Sequence, residues 1–125
     1  MNNDHRRATI RTSPLPAELN INGNIFGGWV LSQMDIAGGI AAARAAKGRV
    51  ATVAIESMKF VAPINVGDVI SVYTDVIHVG NTSVNIKICV YSDDRDNPDH
   101  EEKVTEANFI FVAIGEDGKP RPIEQ

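Results

Sequence analysis

Asp35 is the residue in this sequence best placed to do chemistry. It lies in the run Trp29 to Ala46, whose other residues are mostly apolar or small and recur at helical spacing. Leu31, Gly38, Gly39 and Ala42 stand three, four and seven residues from it. Aspartate is a poor choice for a helix interior, because its short side chain competes for backbone hydrogen bonds. A carboxylate among apolar neighbours is expected to lose water and to have a raised pKa, which suits a general base or a nucleophile. An aspartate that merely hydrogen-bonds a helix to a neighbouring strand fits the same spacing, and spacing alone leaves both readings open.

Just before this helix stands the loop Asn20-Ile-Asn-Gly-Asn-Ile-Phe-Gly27-Gly28. A glycine pair at a helix start leaves backbone N–H groups unpartnered, and the helix dipole adds positive potential there. Such a place can hold a phosphate or the oxyanion of an acyl-transfer transition state. Glycines also serve simply to turn a chain.

Other titratable groups offer less. His5, His78 and His100 are too scattered to be zinc ligands. Cys89 lies on the polar face of its strand with no base beside it in sequence. The acidic cluster from Asp93 to Glu102 lacks calcium-loop spacing and reads as a solvated hairpin tip. Arg44, Lys47 and Arg49 complement the end of the helix dipole, or else meet phosphates. Neither Gly-x-Gly-x-x-Gly nor a Gly-Lys-Ser/Thr loop occurs.

The elements that must position Asp35 follow from the change of hydrophobic period. A short strand is expected over Arg7 to Thr12 and the single long helix over Trp29 to Ala46, largely buried and closed by Gly48. Gly38 and Gly39 inside it imply another backbone packed close. Strands follow over Val50 to Ala62, Val69 to Val79, Val84 to Val90 and Val104 to Ile114, the last in the interior of the sheet. Gly80-Asn81 signals a hairpin, and Asp93 to Glu102 a longer exposed one. Residues 1–6 and 116–125 read as loose ends of one domain spanning 1–125. The class is α+β, a five-stranded antiparallel sheet wrapped around one helix.

With 125 residues there is material for one core and not two. A net charge of −4 argues against general nucleic-acid binding. The single cysteine, the polar start and the lack of a long apolar run lead to the expectation of a cytoplasmic protein with no membrane span. An exposed sheet edge and uncovered sheet face lead to the expectation of a homodimer with a continuous sheet, assembled further as a trimer of dimers.

The stretch from Asn20 through Gly27-Gly28-Trp-Val-Leu-Ser-Gln-Met-Asp35 to Gly39 closely resembles the signature of hotdog-fold acyl-CoA thioesterases, the bacterial short- to medium-chain hydrolase group above all. Gly48 to Phe60 and Pro63 to Val69 are also similar to that family, and the resemblance spans about Arg11 to Arg121. It implies the hotdog fold and hydrolysis of acyl-CoA to free acid and coenzyme A. It implies that Asp35 is general base or nucleophile, and that Asn20 orients the water or the thioester carbonyl. By the same resemblance the Gly28 N–H, with Gly27 nearby, polarises that carbonyl, and Asn20 of one subunit serves Asp35 of the other. Gly80, Thr82 and Ser83 are implied to lie near coenzyme A, which is substrate and not cofactor; neither a metal nor a cofactor is expected. Two rivals are weighed against this. A hotdog dehydratase or hydratase relies on a histidine near the helix, and none lies between His5 and His78. A non-enzymatic acyl-CoA sensor needs a further module for which the chain has no room.

Overall fold

The computed structural model describes residues 7–94 and 97–124; the expected lead-in at 1–6 lies outside them. In chain order the elements are β1 (Ile10–Thr12), a 3-10 turn (Pro16–Glu18), α1 (Gly27–Ala46), β2 (Val50–Phe60), β3 (Asp68–Val79), β4 (Ser83–Asp94) and β5 (Asn97–Ala113). The strands form one antiparallel sheet in the order β1-β3-β4-β5-β2. β5 is paired on both sides, as its two apolar faces require, and β2 is an edge.

Strict alternation sets the register. Val84, Ile86, Ile88 and Val90 of β4 and Ala107, Phe109, Phe111 and Ala113 of β5 turn to one face and are buried, with Ile86 opposite Phe109 and Ile88 opposite Ala107. Helix α1 lies on this face through Val30, Met34, Ala37, Gly38, Ala42 and Ala46. Gly38 is forced by that contact. A Cβ there would stand 2.7 Å from Ile88 Cδ1 and 2.9 Å from Phe111 Cζ, so side chains, and not the expected backbone, press on the helix.

Four expectations are corrected. The helix is only half covered: Asp35, beside the β2 edge, and Ile36 (54% exposed) and Ile40 are all exposed, because five strands ending at the β2 edge do not reach round it. Lys47, at φ 58°, adopts the left-handed cap conformation expected of Gly48. Gly48 is instead approached by Arg121, whose Nη2 would meet an added Cβ at 2.5 Å and which donates to the Ala46 carbonyl at 2.8 Å. Residues 93–94 and 97–102, expected as part of a loop, continue the β4–β5 ladder with Ser92 opposite Glu102 and Asp94 opposite Asn97; the register set by the apolar pairs overrides the acidic composition. Residues 115–124, expected as a tail, fold back: the Arg121 N–H donates to Ala113 and the Ile123 N–H to Asn81, and Ile123 is buried.

Candidate active site

Thr52 is what holds Asp35. Its Oγ1 donates to Asp35 Oδ1 at 2.5 Å, at the short end for a hydroxyl on a carboxylate. The register explains how a strand residue reaches the helix. Thr52 is opposite Phe111, which faces the core, so its side chain lies on the helix side of the sheet. Ala54 is opposite Ile110, which makes Val53 the extra residue of a bulge. Val53, in the bulge, is 58% exposed. The two readings of Asp35 are therefore not exclusive: it ties helix to strand, and among the described residues its Oδ2 has no partner. In a single subunit it is exposed, so the desolvation expected from its helical neighbours is not supplied by this chain alone.

Asn20 is built into a rigid turn. Its Oδ1 accepts the Asn22 N–H at 2.9 Å and the Asn24 N–H at 3.2 Å. Its own N–H donates to Asn24, and its carbonyl accepts from Gly23, whose φ of 80° suits glycine. With the oxygen engaged, the side chain has its Nδ2 donors left to offer. The bridge between Leu19 and Ile25 and the bond from the Phe26 N–H to Glu18 fasten this turn to the start of α1.

That start is uncapped by any side chain. The Phe26 carbonyl accepts from Trp29 and Val30, and among the described residues the N–H groups of Gly27 and Gly28 have no acceptor. Nothing lies within 4 Å of where a Gly28 Cβ would be, whereas a Gly27 Cβ would be 3.3 Å from Phe60 Cζ. Beside the pair opens a cleft of about 480 Å³, lined by apolar residues that include Ile25, Val30, Phe60 and Val104.

The hairpin residues Gly80, Thr82 and Ser83 are not brought to this place within one subunit. Gly80 and Ser83 close the turn (N–H to carbonyl, 2.8 Å), and Thr82 and Asn81 accept from Ala113 and Ile123, so the hairpin sits where α1 ends. A helix of 20 residues puts about 30 Å between its ends. Elsewhere, on the outer face, Lys103 hydrogen-bonds Glu106 at 2.8 Å and Lys87 approaches it at 3.4 Å; the Lys103 bond holds the Glu106 carboxyl below its usual range. Burial raises the Cys89 thiol, which leaves it protonated and unreactive at neutral pH. Among the described residues no three His, Cys, Asp or Glu side chains converge as a metal site, and no helix is long and apolar enough to cross a membrane. The side chains of His100 and of Asp94, Asp96 and Asp99 in the acidic cluster lie outside the described ones.

Thr52 was not anticipated from the sequence. Its only local signal is a hydroxyl residue in the otherwise apolar run Val50 to Ile55. Together the residues present a carboxylate fixed at one oxygen and open at the other, two unpartnered N–H groups, and an apolar cleft. These are the parts needed to add water to an acyl carbonyl.

Comparisons with known proteins agree with this chemistry. The family model of the Thioesterase superfamily matches residues 22–98. The acyl-CoA thioester hydrolase YciA of Salmonella typhimurium is 47% identical over 116 residues, 91% of this chain and 87% of that protein. A hexameric thioesterase from Yersinia pestis superposes with a TM-score of 0.90 at 41% identity, over 98% of each chain. A hexameric hotdog fold thioesterase of Campylobacter jejuni superposes with a TM-score of 0.90 at 37% identity, over 97% of this chain and 92% of that one. By its sheet, its helix and these matches, the chain belongs to the thioesterase superfamily and has the hotdog fold.

Proposed function

We propose that the protein is an acyl-CoA thioesterase that converts an acyl-CoA and water to the free acid and coenzyme A. The observation that carries this reading is the Asp35 carboxylate, held by Thr52 at Oδ1 and open at Oδ2. Asp35 either deprotonates the attacking water or attacks the carbonyl itself, giving a mixed anhydride that water then opens. Both routes pass through a tetrahedral oxyanion, which accepts a hydrogen bond from the Gly28 N–H at the positive end of α1. The departing thiolate needs no strong general acid, so no metal or cofactor is required.

The active unit is a homodimer. Gly28 and Asp35 are seven residues apart on one helix, about 10 Å along its axis, too far for both to serve one carbonyl. The Asn20 turn is fastened to the Gly28 end. Pairing the exposed β2 edges about a two-fold axis sets the two helices antiparallel and covers Ile36, Ile40 and Val53. Asn20 and Gly28 of one subunit then work with Asp35 and Thr52 of its partner, and the second subunit dries the carboxylate that one chain leaves exposed. The same arrangement carries the hairpin of Gly80, Thr82 and Ser83 toward the partner's helix start, where it meets the coenzyme A moiety. Three such dimers form a hexamer, the state of the Yersinia and Campylobacter proteins.

The test is turnover. Purified protein is mixed with a panel of acyl-CoA thioesters while thiol release and binding are followed separately. Hydrolysis is expected; binding without thiol release would overturn the enzyme in favour of an acyl-CoA sensor.

A further inference from the structure

We infer that the apolar cleft at the start of α1 receives the acyl chain, and that the Phe60 ring seated against Gly27 sets the chain length it accepts. This rests on the thioesterase reading. A thioester whose carbonyl oxygen sits at the free N–H groups of Gly27 and Gly28 must send its acyl chain away from the same carbon that bears the sulfur. The only apolar cavity given by the described residues at that position is the cleft of about 480 Å³, and Gly27 itself is part of its wall. Its size falls in the ordinary range of small-molecule sites.

The chemistry of the lining points the same way. Ile25, Val30, Ile64 and Val104 are buried and line the cleft. The run Phe60 to Pro63 completes it with Gly27, without a charged group. A second cavity, about 520 Å³ on the outer face of the sheet, is lined by Lys59, Lys87, Lys103 and Glu106. Desolvating those charges makes it a poor seat for a hydrocarbon.

Phe60 is the adjustable part of this wall. It ends β2 and is 52% exposed, so the core does not depend on it, yet its ring reaches the cleft and lies against Gly27. A Cβ at position 27 would be 3.3 Å from Phe60 Cζ. Glycine there is what lets the ring lie so close to the helix start. Removing the ring lengthens the cleft, and a bulky side chain at the half-buried Ala62 shortens it.

The experiment measures kcat/KM of wild type, Phe60→Ala and Ala62→Phe on butyryl-, octanoyl-, dodecanoyl- and palmitoyl-CoA, with folding checked by circular dichroism. A methylene gained or lost in an apolar pocket changes kcat/KM by about 10- to 200-fold. The palmitoyl-to-butyryl ratio is therefore expected to rise at least about tenfold in Phe60→Ala and to fall as much in Ala62→Phe. An active wild type whose ratio is changed by neither variant would overturn the assignment of the cleft and leave the thioesterase reading standing. A wild type that turns over none of the four esters would overturn the thioesterase reading itself.

Discussion

Replacing Thr52 by valine removes one donor and almost nothing else. Valine has the same branched shape and suits a strand, so a side chain exposed in the single subunit should change stability by no more than about 0.5 kcal/mol. What is lost is the 2.5 Å bond to Asp35 Oδ1. A hydrogen bond to a charged group contributes about 1.5–3 kcal/mol. If that energy keeps Oδ2 aimed at the reacting carbon, its loss lowers kcat by about tenfold to a hundredfold, at 1.4 kcal/mol per decade. KM should hold, because Thr52 touches the carboxylate and not the substrate. Thr52→Ser keeps the hydroxyl and should recover most of the rate. Steady-state kinetics of the three proteins on one acyl-CoA decides it. A valine variant within about twofold of wild type, or a serine variant as slow as valine, would refute the positioning role.

Other consequences are as concrete. If the site is shared, inactive Asn20→Ala and Asp35→Ala proteins refolded together at equal amounts regain about a quarter of wild-type activity, since half the dimers are mixed and each holds one intact site; no recovery would place both residues in one subunit's site. Gly38→Ala gains about 1 kcal/mol of helix propensity but overpacks against two fully buried side chains at a cost of about 1–3 kcal/mol, since the new Cβ lies 2.7 Å from Ile88 and 2.9 Å from Phe111. A net loss in denaturant midpoint is expected, partly restored by Ile88→Val. Glu106→Gln removes a carboxylate held below its usual range by Lys103. The stability it contributes is present above the ordinary carboxylate range and is lost as pH falls through the depressed value. Wild type should thus exceed the variant by up to about 1 kcal/mol at neutral pH, discounted for exposure, with the gap closing in acid.

The sequence carries most of the frame, for identifiable reasons. The period of two in Val84 to Val90 and the long apolar run from Trp29 are local signals, and each became the expected element. Asp35 stood out because its type conflicts with its surroundings. Thr52 did not, because its contact depends on pairing with Phe111 across the sheet, a partner 59 positions on. The exposure of Asp35 was misjudged for a related reason: helical spacing says which residues share a face, not whether this chain or another covers it. The crowding of Gly48 by Arg121 and the docking of Ile123 through Asn81 are contacts that no window of neighbouring residues contains.

The most direct measurement is the hydrolysis of acyl-CoA by Asp35→Asn, a change that keeps the shape of the side chain and removes its basicity. Thiol release should fall at least about a hundredfold, the scale of general-base or nucleophile loss, while oligomeric state and circular dichroism match wild type. A correctly assembled Asp35→Asn protein that hydrolyses acyl-CoA at the wild-type rate would contradict the assignment of the chemistry to this carboxylate.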